Sequence, residues 1–143
     1  MVKLKLKIKR LNKDAPIPSY GHKGDAAFDL YAAEKTVVSP NERKSIPVGI
    51  QMEIPNGYAG LVWDKSGLSH NNGIKTLGGV IDSIFRGEVR VGVINLGKEP
   101  YTFEKNHKVA QMIIQKVEEV KIEEVEELSE TERGEKGWGS TGK

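Results

Sequence analysis

One candidate for phosphate chemistry is a short polar segment, DKSGLS, at residues 64–69. It places a cation, Lys65, next to a hydroxyl, Ser66, and a permissive glycine, Gly67, directly after an apolar stretch. A turn of this composition can direct successive backbone N–H groups at an anion. Surface turns often have the same composition, so the segment alone predicts a turn and only weakly a phosphate site.

A second candidate is the carboxylate of Asp82, which follows an apolar run in residues 78–89. The segment is predicted to be a β-hairpin. A solvated turn aspartate is the usual explanation for such a residue. The functional alternative is a carboxylate held by a rigid frame so that it orients a water, with Gly78 and Gly79 letting a planar base approach the backbone.

The third candidate is the end of the chain, GWGSTGK, at residues 137–143. It superficially matches the start of a phosphate-binding P-loop, but no helix follows the lysine to direct its N-terminus at the phosphates. The glycine amides and the hydroxyls of Ser140 and Thr141 could still wrap a phosphate chain. Trp138 lies between two glycines and has no local core to enter, so it must dock on another subunit or on a ligand ring. Both possibilities remain open.

Composition excludes several other classes of function. Twenty-two basic and 20 acidic residues give a net charge of +2, so a broad basic field for nucleic acid is not expected. The absence of cysteine excludes thiol catalysis and thiolate metal sites. The histidines lack metal-ligand spacing, and neither HExxH nor a nucleophile elbow occurs: His22, His70 and His107. Without a signal-peptide or membrane-span pattern, we expect a cytoplasmic protein with no membrane partner.

The elements that must position these groups are predicted to be strands of a single domain. Val2, Leu4, Leu6 and Ile8 alternate with lysines, which predicts a half-buried strand. Short β-rich runs separated by Gly, Pro and Asn indicate a sandwich, jelly roll or barrel; they cover residues 36–38, 45–54, 59–63, 89–95 and 109–117. Residues 118–130 are the best helical candidate by composition, although their apolar spacing fits neither period. The glycine-rich residues 133–143 should form a mobile tail unless something orders them.

Five segments in order resemble the motifs of the trimeric dUTPase family. The resemblance extends from Gly24 to the end of the chain. Its motifs are DAAFDLYA at 25–32, KSGL at 65–68, GVID with RGE at 79–88, NHKVAQMI at 106–113 and RGEKGWGSTG at 133–142.

The resemblance implies an all-β subunit with the β-clip or jelly-roll-like dUTPase fold. Residues 1–132 would form the β domain, and residues 133–143 a flexible arm exchanged within a homotrimer, so that each site takes residues from three chains. The implied reaction is Mg²⁺-assisted hydrolysis of dUTP to dUMP and pyrophosphate.

The same resemblance implies a role for individual residues. Asp29 and Gln111 would hold Mg²⁺ through its waters, and the catalytic set would be Asp82, Gln111 and Ser66, with Asp82 activating the attacking water. Phosphate contacts would come from Lys65, Ser66, Gly67, Arg133, Gly139, Ser140 and Thr141. The uracil pocket would include Thr76, Gly79, Val80, Ile81 and Arg90. Phe85 would pack on deoxyribose and exclude a 2′-hydroxyl, and Trp138 would cover the uracil ring.

Several positions depart from the family pattern. Lys65 stands where Arg is common and loses the bidentate fork; Phe85 and Trp138 replace a usual Tyr and Phe. Residues 106–107 replace a frequent Gly-Asp pair, and Ile84 a small or acidic residue. We interpret these changes as tuning affinity. The alternatives are a dCTP deaminase or bifunctional deaminase-dUTPase of the related fold, and a noncatalytic nucleotide-sensing module.

Overall fold

The computed structural model describes residues 3–142, so the predicted strand position Val2 and the final Lys143 lie outside the described residues. Within that range the chain forms eleven strands and one short helix, which confirms the all-β prediction. The strands are β1 Lys7–Arg10, β2 Phe28–Tyr31, β3 Thr36–Val38, β4 Arg43–Pro47, β5 Ile50–Glu53, β6 Tyr58–Trp63, β7 Ile74–Leu77, β8 Val80–Ile81, β9 Arg90–Asn95, β10 Tyr101–Phe103 and β11 Lys108–Lys116. The helix, α1, is Ser66–Asn72.

The strands pair antiparallel in four small sheets. The largest has the order β2-β11-β6-β8, and a second has the order β4-β9-β7. Two further pairs join β1 to β5 and β3 to β10. Because β11 lies between β2 and β6, residues far apart in sequence become cross-strand neighbours on it.

A single apolar core lies between these sheets. Alternating side chains of each strand face this core or point away from it. On β9, Val91 and Val93 are fully buried, whereas Arg90 is exposed. Each fully buried aliphatic or aromatic side chain contributes about 1.5–3 kcal/mol relative to exposure. The largest apolar members are Phe103, Leu30, Ile46, Ile50 and Met112.

Three predictions about local elements were wrong. Residues 118–130 form neither helix nor strand, because an isolated acidic segment without an apolar stripe has no surface to pack on. The predicted strand at 45–54 is two strands, separated at Gly49, whose φ of 75° breaks the pleat. The predicted turn at 64–69 instead starts α1, which ends at Gly73 with φ 71° and a hydrogen bond from its N–H to the Ser69 carbonyl.

Two further predictions need correction in the amino-terminal strand and the hairpin. The strand predicted from the alternating lysines is observed only at Lys7–Arg10, where β5 supplies a partner. Residues 78–89 do not form a hairpin. Instead β8 pairs with β6, and residues 82–89 form a turn and loop that lead into β9. The chain after β8 closes a turn with a hydrogen bond from the Phe85 N–H to the Asp82 carbonyl and so offers β8 no second strand of a hairpin.

Beyond β11 the chain leaves the sheets. Residues 118–142 are exposed and contain no strand or helix. Among residues 3–142, no helix combines the length and the apolar character that crossing a bilayer requires.

Candidate active site

The centre of the candidate site is a polar pair on neighbouring strands. Strand register places Gln111 of β11 opposite Asp29 of β2 on one side and Trp63 of β6 on the other. Asp29 alternates with the core residues Phe28 and Leu30, so its carboxylate lies on the opposite face of β2 from theirs. The sheet thus brings together the two residues predicted to hold a metal.

Two lysines surround the Asp29 carboxylate. Lys65 Nζ lies 2.6 Å from Oδ1, and Lys108 Nζ lies 3.4 Å from Oδ2. The Asp29 side chain is only 10% exposed and that of Lys65 28%. A carboxylate this buried needs compensating charge, because desolvation without it costs several kcal/mol. Lys65 immediately precedes α1, so the start of the helix delivers the cation.

Gln111 is oriented by the backbone of the same region. Its Nε2 donates a hydrogen bond of 2.7 Å to the carbonyl of Asp64. This bond uses one of the two amide N–H donors and leaves the side-chain oxygen to act as an acceptor. Gln111 and Asp29 therefore present acceptor oxygens side by side.

These residues open into a cavity of about 510 Å³. Its lining mixes polar and apolar residues and comprises Asp25, Ala26, Ala27, Asp29, Trp63, Asp64, Lys65, Gln111 and Ile113. The sequence had predicted functions for Asp29, Lys65 and Gln111 only. Asp25, Trp63 and Asp64 are additions: Asp25 belongs to the first motif, and Trp63 and Asp64 directly precede the second.

A second cavity of about 540 Å³ lies on the other side of Lys65. Lys65, Gly67 and Lys108 line it together with His107. Two cations at its border make this cavity suited to anionic groups such as phosphates. Ser66 is exposed at the start of α1, between Lys65 and Gly67.

Asp64 directly follows β6, and its side chain hydrogen-bonds to two residues of β7. Its carboxylate accepts a 2.6 Å hydrogen bond from the backbone N–H of Thr76 and a 2.8 Å bond from Lys75 Nζ. Partial burial alone would raise the pKa of the Asp64 carboxyl, but the bonds from Lys75 and Thr76 together hold that pKa below its usual range. Asp64 is therefore ionised at neutral pH and fixes the backbone from which Gln111 is oriented. Thr76 itself is buried.

The segment predicted to hold uracil runs along β6. The backbone N–H of Val62 donates to the carbonyl of Gly79 at 2.8 Å, and Val80 pairs with Leu61. A Cβ at Gly79 would lie 2.7 Å from the Val62 carbonyl oxygen, so only glycine fits there. Val80 is 68% exposed and Ile81 is half-buried. The exposed apolar edge is available to a planar ligand.

One chain does not bring all the predicted residues together. Asp82 and Phe85 lie on an exposed turn after β8, and neither lines the two cavities. Arg90 donates to Ser45 Oγ at 2.9 Å and to the Ser45 carbonyl at 2.8 Å, on the β4-β9-β7 sheet. It is therefore held by β4 and lies apart from both cavities.

The arm is separate from the body as well. Arg133 bonds to the Gly137 carbonyl at 2.6 Å, and the Ser140 N–H bonds to the same carbonyl. Within the described part of the chain, the arm residues Arg133, Trp138, Gly139, Ser140 and Thr141 line neither cavity. Their predicted roles in phosphate and uracil binding therefore stay predictions.

Comparison with known proteins identifies the family. The dUTPase family profile matches residues 13–142. The chain belongs to the dUTPase family. The deoxyuridine 5'-triphosphate nucleotidohydrolase of Clostridium kluyveri is 47% identical over 97% of this chain and 99% of its own length. That of Nautilia profundicola is 46% identical over 98% of this chain and 100% of its own length.

Solved dUTPase structures share the fold. The dUTPase of Staphylococcus bacteriophage 80alpha with dUpNHpp superposes with a TM-score of 0.90 and 30% identity, over 96% of this chain and 98% of that one. A mutant dUTPase of S. aureus phage phi11, solved with a coordinated structural Mg(II) ion, gives a TM-score of 0.80 and 25% identity over 86% and 97% of the two chains. The dUTPase fold predicted from the motifs is thus confirmed.

The donor set of this dUTPase-family chain fits a magnesium ion held through water. Residues 3–142 contain no group of three or more His, Cys, Asp or Glu side chains placed to hold a metal ion directly. Asp29 and Gln111 instead offer one carboxylate and one amide oxygen beside a cavity. Mg²⁺ dehydrates reluctantly and commonly keeps several waters beside one or two carboxylates, so this sparse set is compatible with it.

Proposed function

We propose that this protein is a dUTP diphosphatase, which hydrolyses dUTP to dUMP and pyrophosphate. The observation that carries the proposal is the cluster of Asp29, Lys65 and Gln111, assembled from three family motifs around one cavity. Relatives nearly half identical over almost the whole chain are named for this activity. The phage 80alpha enzyme with the same fold was solved with dUpNHpp.

Asp29 and Gln111 would hold Mg²⁺ through its waters. When bound, the ion supplies positive charge to the phosphate oxygens. Lys65 would then exchange its ion pair with Asp29 for the phosphates, since Lys65 lines both cavities. Ser66 and Gly67 would add a hydroxyl and a backbone donor beside it.

Asp82 would position and activate the attacking water. Its carboxylate accepts a proton as the water oxygen forms a bond to the α-phosphorus. The bond between the α-phosphorus and the bridging oxygen breaks, and pyrophosphate leaves. The position of Asp82 on an exposed turn directly after β8 leaves it accessible to a bound nucleotide.

Selection of deoxyuridine would depend on the β8 segment and the turn after it. Backbone groups of Gly79, Val80 and Ile81 would bind the uracil edge, with Thr76 and Arg90 contributing nearby. A narrow pocket along this backbone would exclude thymine by its extra methyl group. The Phe85 ring would pack on deoxyribose and exclude the 2′-hydroxyl of UTP.

We further propose a homotrimer in which residues 1–132 form the β domain and residues 133–143 reach a neighbouring site. Arg133, Gly139, Ser140 and Thr141 would clamp the terminal phosphates, and Trp138 would stack on uracil. The proposal is supported by the fully exposed Trp138 side chain and by hydrogen bonds of the arm that stay within residues 131–142.

A substrate panel tests the function. Pyrophosphate release should occur with dUTP and Mg²⁺, fall strongly in EDTA, and be far slower with UTP, dTTP or dCTP. Asp82→Asn should bind the nucleotide yet release almost no pyrophosphate. Uracil nucleotides formed from dCTP would indicate a deaminase instead, and nucleotide binding without any turnover by the unmodified protein would indicate a sensing module.

A further inference from the structure

The guanidinium group of Arg86 hydrogen-bonds to the turn that carries Asp82 and Phe85. The turn closes with a 3.0 Å hydrogen bond from the Phe85 N–H to the Asp82 carbonyl. Arg86 Nη1 donates to the Ser83 carbonyl at 2.6 Å and to the Phe85 carbonyl at 3.1 Å. A single side chain thus binds two of the carbonyls inside the turn.

Strand β5 holds this arginine from the other side. Arg86 Nη2 lies 3.4 Å from Glu53 Oε1, and Lys7 Nζ lies 2.8 Å from Glu53 Oε2. Gln51 Nε2 donates to the Arg86 carbonyl at 2.9 Å. The turn is therefore attached both through the side chain and through the backbone of Arg86 to two residues on β5.

The glycine after Arg86 makes room for the Phe85 ring. A Cβ at Gly87 would lie 2.7 Å from Phe85 Cζ and 3.0 Å from Cε2. The φ of Gly87 lies outside the left-handed region, so alanine is compatible with this backbone, and the ring would have to move instead. The Phe85 ring thus occupies space that only the absence of a side chain at Gly87 leaves open.

We propose that Arg86, anchored by Gln51 and Glu53, is a positioning residue that sets the placement of Asp82 and Phe85 together. Its effect on catalysis and selectivity rests on the proposed function. The Arg86 and Glu53 side chains are 54% and 44% exposed, so their ion pair contributes little to stability. The planar fork instead defines geometry, because it bridges two carbonyls and a carboxylate in fixed directions.

Kinetics of Arg86→Ala test the proposal. With dUTP we expect a fall in kcat/KM of about ten-fold, equivalent to about 1.4 kcal/mol. The ratio of kcat/KM for dUTP over UTP should fall by a similar factor, because a displaced Phe85 no longer excludes the 2′-hydroxyl. Arg86→Lys should recover part of this ratio, since one ammonium can replace one of the bonds. A general loss of folded protein would lower both substrates equally.

Two companion variants and one control complete the kinetic set. Glu53→Gln breaks the ion pair, leaves the carbonyl bonds and should lower selectivity less than Arg86→Ala does. Gly87→Ala should lower selectivity by moving the ring while Arg86 stays in place. Lys35→Ala, which removes an exposed lysine paired with Glu104 at 3.7 Å, should change neither rate nor selectivity.

Hydrogen exchange of the Phe85 N–H tests, without any substrate, whether Arg86 stabilises the turn. Exchange should accelerate several-fold in Arg86→Ala and remain normal in Lys35→Ala. Unchanged exchange together with an unchanged dUTP/UTP ratio would overturn the proposal. If the unmodified protein released no pyrophosphate from dUTP, the proposed function would fail, and accelerated exchange would still support the positioning role of Arg86.

Discussion

Removal of the Trp138 ring should weaken nucleotide binding by about thirty-fold. The side chain is fully exposed in the isolated chain, so its whole surface is available for burial. An aromatic side chain buries roughly 150–250 Å², which at about 25 cal/mol per Å² corresponds to about 4–6 kcal/mol. A ring that stacks on one face uses about half of this, and alanine substitution at base-stacking aromatics costs about 1–3 kcal/mol. We therefore expect a loss of about 2 kcal/mol, or about thirty-fold in Kd.

The assay is calorimetric titration of the protein with dUpNHpp and Mg²⁺. Trp138→Ala should raise Kd, whereas Trp138→Phe should retain most of the affinity because it keeps a stacking ring. Val120→Ala is a matched control, since it truncates another exposed apolar side chain beyond β11. Its Kd should equal that of the unmodified protein.

Equal Kd values for Trp138→Ala and the unmodified protein would refute the stacking argument. Mixing two inactive variants distinguishes an arm that is exchanged between chains from an arm that closes the site of its own chain. Chains lacking residues 133–143 and Asp82→Asn chains should each be inactive alone. If the arm and Asp82 of one site come from different chains, reassembled mixtures should regain activity; failure of the mixture to do so would refute the exchange.

Three further substitutions have defined outcomes. Asp64→Asn should reduce the loss of the free energy of unfolding, measured with urea, that occurs as pH falls from 7 to 3. Because the folded-state pKa of Asp64 is lowered, its stabilising contribution is present above the unfolded value of 3.8 and is lost as pH falls through the folded pKa. Gly79→Ala places a Cβ 2.7 Å from the Val62 carbonyl, so it should abolish measurable dUpNHpp binding and destabilise the fold by about 1–3 kcal/mol, as judged by calorimetry and urea unfolding. Asp29→Asn leaves the half-buried Lys65 without its charged partner at 2.6 Å. The free energy of unfolding should fall by about 1.5–3 kcal/mol, and Mg²⁺ binding in the presence of dUpNHpp should weaken. Asp14→Asn, in an exposed pair with Lys105, is the control and should change neither quantity.

Runs of β-branched and apolar residues predicted strands correctly where those same residues pack into the core. The strand at residues 36–38 was located correctly, and the strands at β6, β9 and β11 were correct to within one residue at each end. The helix α1 was missed because its sequence, SGLSHNN, has weak helix propensity and depends on its surroundings. Residues 118–130 have a composition that favours a helix, but composition does not provide a packing surface.

The sequence by itself determined which chemical groups are available: a carboxylate in the first motif, a lysine beside a serine in the second, an aspartate in the third and an indole among glycines in the fifth. It also determined the dUTPase family and hence the fold. Only the tertiary structure decided that Lys65 pairs with Asp29, 36 residues away, and that Asp64 anchors Thr76. It alone attached Arg86 to β5, 35 residues earlier. These contacts depend on strand register, which the entire core determines by burying one set of alternating side chains.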